Sequence, residues 1–412
     1  MKELVIEADR CYICKNPKCK LNCPIGTPIP EIITLFKEGQ IAKAGEMLFK
    51  NNPLSLVCSI VCPHEDQCKG NCIRGIKGEP VSFCSIERHI SKYYLENVKL
   101  EKEKELDDRI AIIGGGPAGI TIAFILAQKG YKITLFDSHD KIGGVMRYGI
   151  PEFRLPKSIL DHYEERLIEL GVKIRPNTLI GPVLTLDKLF YDGYKAVFIG
   201  TGVWNPKTLN IKGESLGNVH YAIDYLKSPE VYNLGEKVCV IGAGDVAMDS
   251  ARTAIRNGAK EVYILYRKGI ENVPATKAEL EGAIKDGVKF EFFKSPIELT
   301  EEGVKYIATK NEISEDGTVI TVNIDGEEGL FECDSIIISV SQSPRNNIVS
   351  NTKRLETNRW GLLLADEFGH TTRDGVFASG DVVTGAKTVV EATAHAKIVA
   401  EEIEKYINSK NI

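Results

Sequence analysis

A chain of 412 residues is too long for one ordinary core, so two or three domains are expected. Its content of 43% hydrophobic and 26% charged residues excludes a disordered or fibrous protein. With 52 basic against 57 acidic residues and a net charge of −5, nothing in the balance calls for nucleic acid or a membrane surface as a partner.

The opening "MKELVIEADRC" has no basic segment followed by an apolar run. No secretory leader is read there, and a cytoplasmic, thiol-reducing setting is expected. Residues 1 to about 95 read as short helices and loops, with helical apolar spacing in "PIPEIITLFKEGQIAKAGEMLFKNN". Nine of the eleven cysteines fall between Cys11 and Cys84. Such crowding in a reducing compartment favours metal over disulfides. Cys239 and Cys333 come later, each inside an apolar strand-like run, and read as core residues. The charged stretch "ENVKLEKEKELDD" reads as a solvated connection.

From Arg109 strands and helices alternate. "IAIIGGGPAGITIAFILA" is interrupted by four glycines and a proline, which a membrane span would avoid. It reads as strand, turn and helix. Gly114-x-Gly116-x-x-Gly119 sits between the two elements, with Asp137 ending the next strand. In that pattern one glycine makes the turn and one admits a pyrophosphate. The third lets the helix pack closely, and the acid accepts from ribose hydroxyls.

The plan returns about 128 residues later as Gly242-x-Gly244-x-x-Ala247. Here the second strand ends at Arg267 and Lys268 instead of an acid, which suits a 2′-phosphate and favours NADPH over NADH. Apparent strands follow in "VKFEFF" and "SIIISV". The chain then closes with a strand, a turn and a long helix whose buried face is Val389, Ala392, Ala396, Val399 and Ile403.

If one nucleotide turn holds FAD and the other NADPH, the electrons need an exit. No cysteine occurs between Cys84 and Cys239, so no dithiol serves the first nucleotide domain. The cysteine-rich front end is the candidate exit. The run Cys11, Cys14, Cys19 and Cys23, with Pro24 next, and the run Cys58, Cys62, Cys68 and Cys72, with Pro63 after Cys62, point to two iron–sulfur clusters held by thiolates. Zinc is the alternative. It usually shows two CxxC knuckles, where this sequence has one, and it accepts no electrons.

Together "CYICKNPKCKLNCPIGTPIPE", "CSIVCPHEDQCKGNCIRGIKGEPVSFCSIER", "IIGGGPAGI", "GGVMRYGIPEFRLPK", "GAGDVAMDSARTAIRNGAKEVYILYRK" and "GVFASGD" carry a resemblance over nearly the whole chain. The chain resembles the small (β) subunit of NADPH-dependent glutamate synthase. The same module forms the amino-terminal part of dihydropyrimidine dehydrogenase and the large subunit of the NADH-dependent ferredoxin:NADP oxidoreductase.

The resemblance implies an α/β chain with an all-helical domain at 1–105 carrying two [4Fe–4S] clusters. A Rossmann-like FAD domain would follow at 106–228 and 341–412, with a Rossmann-like NADPH domain, 229–340, inserted into it. By the same carry-over Cys11, Cys14, Cys19 and Cys72 would hold one cluster. Cys23, Cys62 and Cys68 would hold the other, with Glu87 as fourth ligand and Cys84 as its rival. Cys58 is expected to be a non-ligand. Flavin contacts would come from Gly114, Gly116, Pro117, Ala118, Gly119, Asp137, Gly144, Arg154, Gly202, Gly380 and Asp381, with Arg154 and Asp381 nearest the chemistry. NADPH contacts would come from Gly242, Gly244, Asp245, Val246, Arg267 and Lys268. Many relatives carry a second base where this sequence has Glu271 and Asn272, so NADH stays open. His64 and His395 read as an ordinary loop histidine and a packing histidine.

The implied function is electron input: NADPH is oxidised at FAD and electrons pass singly through the clusters to a catalytic or electron-accepting subunit. That subunit is expected to contain FMN, or to be a ferredoxin, because the barrel domain of larger relatives is not expected in this length. A stand-alone or bifurcating NAD(P)H:ferredoxin oxidoreductase, and the NAD(P)H-oxidising part of a dihydropyrimidine dehydrogenase, are alternatives. A zinc-bearing assembly or sensor protein is the non-enzyme alternative.

Overall fold

The computed structural model describes residues 1–314 and 318–410, and the chain divides into two compact units. The first comprises 1–147, 152–203 and 343–412, and the second 148–151 and 204–342.

The first unit opens with helices α1 (Lys2–Asp9), α2 (Lys18–Leu21), α3 (Ile29–Lys37), α4 (Ile41–Asn51), α5 (Ser55–Val61) and α6 (Phe83–Asn97). The periodic stretch predicted as helical becomes α3 and α4, which reverse direction at Gly39 with φ of 74°. Their apolar faces close one core: Ile29, Ile32, Ile33 and Phe36 of α3 meet Ala44 and Leu48 of α4 and Phe83, Ile86 and Ile90 of α6.

A parallel sheet follows, built from β1 (Arg109–Ile113), β2 (Lys132–Phe136), β3 (Lys173–Arg175), β4 (Tyr194–Ile199) and β15 (Val376–Ala378) in the order β15-β4-β1-β2-β3. Helix α7 (Pro117–Gln128) buries residues all round its surface, as a helix between a sheet and other helices must. Helices α8 (Val145–Tyr148), α9 (Lys157–Glu169) and α10 (Leu186–Tyr191) lie between β2 and β4 in sequence. After β15 come the short α14 (Asp381–Thr384) and the 22-residue α15 (Val389–Lys410). Helix α15 buries the predicted face and adds Val390, Thr393, Ala400 and Ile407.

The helical region is expected to be a separate domain, yet it belongs to the same compact unit as this sheet. Phe49 of α4 meets Phe124 of α7 edge-on at 5.3 Å, and Phe124 meets Tyr163 of α9 at 5.9 Å. The Arg166 Nε–H donates to the Leu95 carbonyl at 2.7 Å. The charged connection is likewise tied down: Leu100 is buried, and the amides of Glu103 and Leu106 donate to the carbonyls of Gln128 and Gly130. Apolar area at the seam outweighs the charge that made this stretch read as solvated.

The second unit holds a parallel sheet of order β6-β13-β7-β8-β9, from β6 (Val219–Tyr221), β7 (Lys237–Ile241), β8 (Glu261–Tyr266), β9 (Lys289–Phe292) and β13 (Ser335–Ile338). Helices α11 (Ala222–Lys227), α12 (Asp245–Arg256) and α13 (Lys277–Lys285) cover it. An antiparallel sheet of β10 (Lys294–Thr300), β11 (Gly303–Ile313) and β12 (Val319–Glu332) completes the unit. Short strands β5 (Asn205–Pro206) and β14 (Gln342–Ser343) lie by the two chain crossings. The join expected at 228/229 moves to 203/204, because β6 pairs with β13 and α11 packs on the second core. Cys239 and Cys333 are buried core residues as expected. No helix among the described residues is long and apolar enough to cross a membrane.

Candidate redox site

Parallel strands deliver their carboxyl ends to one edge of a sheet, and that edge is where such folds bind nucleotides. In the first unit, Gly114 leaves β1 with φ of 100°, and a methyl there would stand 2.5 Å from the Gly200 carbonyl. A methyl on Gly119 would stand 2.0 Å from the Gly114 carbonyl, so the start of α7 is pressed onto the turn. Gly116 caps α7 and Pro117 and Ala118 open it, which leaves the first amides of the helix without intrahelical acceptors.

Three more segments close on this turn. The Cα atoms of Gly144 and Gly116 approach so nearly that a Cβ on Gly144 would lie 2.7 Å from Gly116. Gly202, with φ of 67°, follows β4, and Gly380 faces the Ala118 methyl after β15. Asp137 is buried where β2 ends. One of its carboxylate oxygens accepts from the Gly115 amide at 2.7 Å, and the other accepts from the His139 amide at 2.8 Å. Its expected role toward a ribose is thus joined by a visible one, closing the glycine turn. His139, whose Nδ1 lies 2.9 Å from Asp137 Oδ1, went unnoticed in the sequence. The local Asp-x-His spacing was its only signal.

Asp381 opens α14 beside this edge and accepts from the Lys387 amide at 3.2 Å. Burial, with some help from Glu391, pushes its carboxyl up to about 6. Arg154 lies half-buried in the segment between α8 and α9. His395 of α15 bridges Ser379 Oγ at 3.0 Å and the Glu367 carbonyl at 3.1 Å.

In the second unit Gly242 leaves β7 with φ of 118°, and a methyl there would stand 2.2 Å from the Ser339 carbonyl. Gly244 caps α12, and an added methyl would meet nothing within 4 Å. Asp245 spends one oxygen on the Thr276 amide at 2.8 Å, and Val246 follows it, half-buried, in the first turn of α12. Arg267 is exposed just past β8, and neither it nor Lys268 has a carboxylate at ion-pairing distance among the described residues.

The thiols of the helical region sort into two groups. Cys11, Cys14, Cys19 and Cys72 form one: burial, then the charges of Cys14 and Cys72, raise the Cys11 thiol. Burial, then the charges of Cys72, Cys11 and Cys14, pushes Cys19 up to about 11. The backbone at Ile13 and Lys20 offsets part of the rise at Cys11 and Cys19. Ile13 carries φ of 47°, a strained value for a β-branched residue, where the chain wraps between Cys11 and Cys14.

The other group lines a cavity: Cys23, Cys62, Cys68 and Glu87, together with Cys58, Asn52, His64 and Val390. Burial and the Glu87 charge hold Cys68 far above the ordinary thiol range. A hydrogen bond to Cys58, then burial, does the same to Cys62. Glu87 is buried, and nothing among the described residues donates a hydrogen bond to its carboxylate. Its carboxyl is pushed far up by burial and by Cys58. Glu87 lines the cavity and Cys84 does not. His64 places Nε2 3.1 Å from the Cys58 carbonyl.

Among the described residues no three His, Cys, Asp or Glu side chains converge on a point at single-ion distance. Cys23, Cys62, Cys68 and Glu87 line a cavity. A buried carboxylate without a donor and several thiols that resist ionising form a donor set completed by a polynuclear cation. The residues fit iron–sulfur groups.

The family model for pyridine nucleotide-disulphide oxidoreductases matches residues 75–188 and 108–396, and that for dihydropyrimidine dehydrogenase domain II, with a 4Fe-4S cluster, matches 1–99. The fold and the site thus define an NAD(P)H-dependent flavin and iron–sulfur oxidoreductase. The Escherichia coli glutamate synthase [NADPH] small chain is 32% identical over 429 residues, covering 97% of this chain and 91% of its own length. The NADP(+)-dependent formate dehydrogenase subunit beta of Moorella thermoacetica is 32% identical over 426 residues, 94% of this chain and 60% of its own length. The FprA structure of Mycobacterium tuberculosis has the same fold, with a TM-score of 0.61 at 19% identity over 74% of this chain and 85% of that one. The chain belongs to the glutamate synthase small-chain family.

Proposed function

We propose that this protein is the electron-input subunit of a larger oxidoreductase, which takes electrons from NADPH at FAD and passes them through two [4Fe–4S] clusters to a partner protein. The observation that supports the reading is the cavity lined by Cys23, Cys62, Cys68 and Glu87 and touched by Val390 of α15, with Cys11, Cys14, Cys19 and Cys72 near one another. That helix also packs along α7, whose first turn faces the flavin-side edge.

Each residue does a definite job in this reading. The free amides at the start of α7 receive the FAD pyrophosphate, and the glycines of the turn keep side chains out of its way. Asp137 holds the turn shut and faces the ribose. Asp381 and Arg154 contribute at the isoalloxazine end. In the second unit Gly244 and the first amides of α12 receive the nicotinamide dinucleotide, and Arg267 with Lys268 pairs with the 2′-phosphate. Cys11, Cys14, Cys19 and Cys72 hold one cluster, and Cys23, Cys62, Cys68 and Glu87 the other. When bound, flavin and clusters together supply the conversion of a hydride's electron pair into single electrons.

The partner is an electron-accepting subunit, FMN-containing in the glutamate synthase type; relatives named for glutamate synthase and for formate dehydrogenase support a module that serves several partners. The test is anaerobic purification followed by iron analysis and NADPH titration. About eight irons per chain, flavin bleaching by NADPH and cluster EPR signals growing after it are expected. Zinc in place of iron, or bleaching with no cluster signal, overturns the reading. Rapid reduction of added ferredoxin by the isolated chain would replace the FMN subunit with ferredoxin as the partner.

A further inference from the structure

A chain of hydrogen bonds runs from helix α15 into the thiol-rich region. Lys397 Nζ donates to Asn51 Oδ1 at 3.2 Å. Asn51 Nδ2 donates to Thr27 Oγ1 at 3.5 Å. Thr27 Oγ1 lies 3.3 Å from Cys23 Sγ. The polarity of the chain follows from its first member. An ammonium group can only donate, so the amide must turn its oxygen to Lys397 and its NH2 to Thr27. The threonine oxygen then accepts, and its proton is left for the sulfur. Every bond points the same way, from a cation toward Cys23.

Lys397 is set up to act at this distance. It stands half-buried on α15, and among the described residues it has no carboxylate at ion-pairing distance; Glu401, one turn further on, exerts only a longer-range attraction. Burial lowers its proton affinity, while Glu401 and Cys23 raise it. Lys397 and Cys23 interact electrostatically as well as through the hydrogen bonds. Thr27 and Cys23 both line the cavity that Val390 of α15 also lines.

We propose that Lys397, acting through Asn51 and Thr27, raises the reduction potential of the cluster held by Cys23 and so makes it the first acceptor of flavin electrons. Lys397, Asn51 and Thr27 are positioning residues, and the inference rests on the cluster assignment made above. A reduced cluster carries one more negative charge than an oxidised one. Hydrogen bonds to its sulfurs and a nearby cation favour that extra charge. Helix α15 contributes the cation from the flavin side, so the seam between sheet and helical region sets the downhill direction of transfer.

The test is an EPR-monitored redox titration of the anaerobic protein in four forms: wild type, Lys397→Met, Lys397→Arg and Thr27→Val. At a fixed solution potential, Lys397→Met should lower the reduced-to-oxidised ratio of one cluster about tenfold, a shift of about 59 mV for a one-electron couple, and leave the other cluster unmoved. Thr27→Val should shift the same cluster in the same direction by less, with a change in its signal shape. Lys397→Arg should restore most of the wild-type ratio. Unchanged potentials in Lys397→Met and Thr27→Val, with full iron content, overturn the relay and leave the cluster assignment standing. Equal shifts of both clusters also overturn it. A wild type without iron overturns the assignment itself.

Discussion

The two glycine turns follow one plan and differ at two places, and each difference has a physical meaning. At the third position the first turn has Gly119 and the second has Ala247. In the first, a methyl would sit 2.0 Å from a backbone carbonyl, while in the second the alanine methyl is simply buried. Helix α7 is thus pressed closer to its strand than α12 is. At the end of the second strand the first unit has Asp137, already bonded to its own turn, and the second has Arg267, exposed and with no carboxylate at ion-pairing distance among the described residues. One edge is closed by an acid and tightly built. The other is looser and edged with bases. That is the contrast between a cofactor that stays and one that comes and goes.

Gly119→Ala should break this contrast most severely. The methyl would strike backbone, which cannot swing aside, so unfolding stability should fall by about 3 kcal/mol and purified protein should lack flavin. Ala247→Gly in the second turn should cost only about 1 kcal/mol, a matter of helix propensity. Equal losses at the two positions, measured by urea unfolding, would mean that the turns are packed alike.

Gly244→Ala separates ligand space from fold. Its φ of −81° and ψ of 176° suit any residue, and the methyl meets nothing within 4 Å. The thermal midpoint should not move. The KM values for NADPH and NADH should both rise about thirtyfold, roughly 2 kcal/mol, because the methyl occupies the pyrophosphate's approach. Arg267→Ala should act on one cofactor only, lowering kcat/KM for NADPH about tenfold, near 1.4 kcal/mol, with NADH untouched. Steady-state kinetics with both nucleotides decide, and an equal effect on the two would put the 2′-phosphate elsewhere.

Much of this was legible in the sequence because the carriers are local. A strand, a glycine turn and a helix occupy consecutive residues, and their order encodes the parallel sheet. The cysteines announced themselves by number and spacing. What sequence could not give was non-local. The domain join was misplaced because β6 belongs to the second sheet only through pairing with β13, more than a hundred residues away. The link at Leu100 looked solvated because its anchors are carbonyls of α7 and the turn after it, which no composition reveals. Thr27, Asn51 and Lys397 carry no motif. Their importance lies in three distances between segments remote in the chain. Resemblance pointed to Glu87 with Cys84 as its rival, and what it could not supply is that the Glu87 carboxylate is buried with no donor among the described residues.

The smallest effect sharpens the comparison through pH. Asp381 is a partly buried acid at the first edge, pushed up to about 6 by burial, while the second edge has the exposed Arg267 and the half-buried Lys268. An acid whose folded value lies above its unfolded value near 4 favours folding only while it is neutral. That contribution is complete below about pH 4 and fades as the pH rises through 6. Asp381→Asn keeps the oxygen that accepts from the Lys387 amide and cannot ionise. In flavin-stripped protein the variant should therefore match wild type at pH 4 and exceed it at pH 8. The rise from near 4 to about 6 bounds the gain near 3 kcal/mol, and residual solvent access reduces it to about 1 kcal/mol. Arg267→Ala should leave the pH profile of unfolding unchanged. An Asp381→Asn gain already present at pH 4 would assign it to packing rather than charge, and the first edge would then lose its distinctive acid.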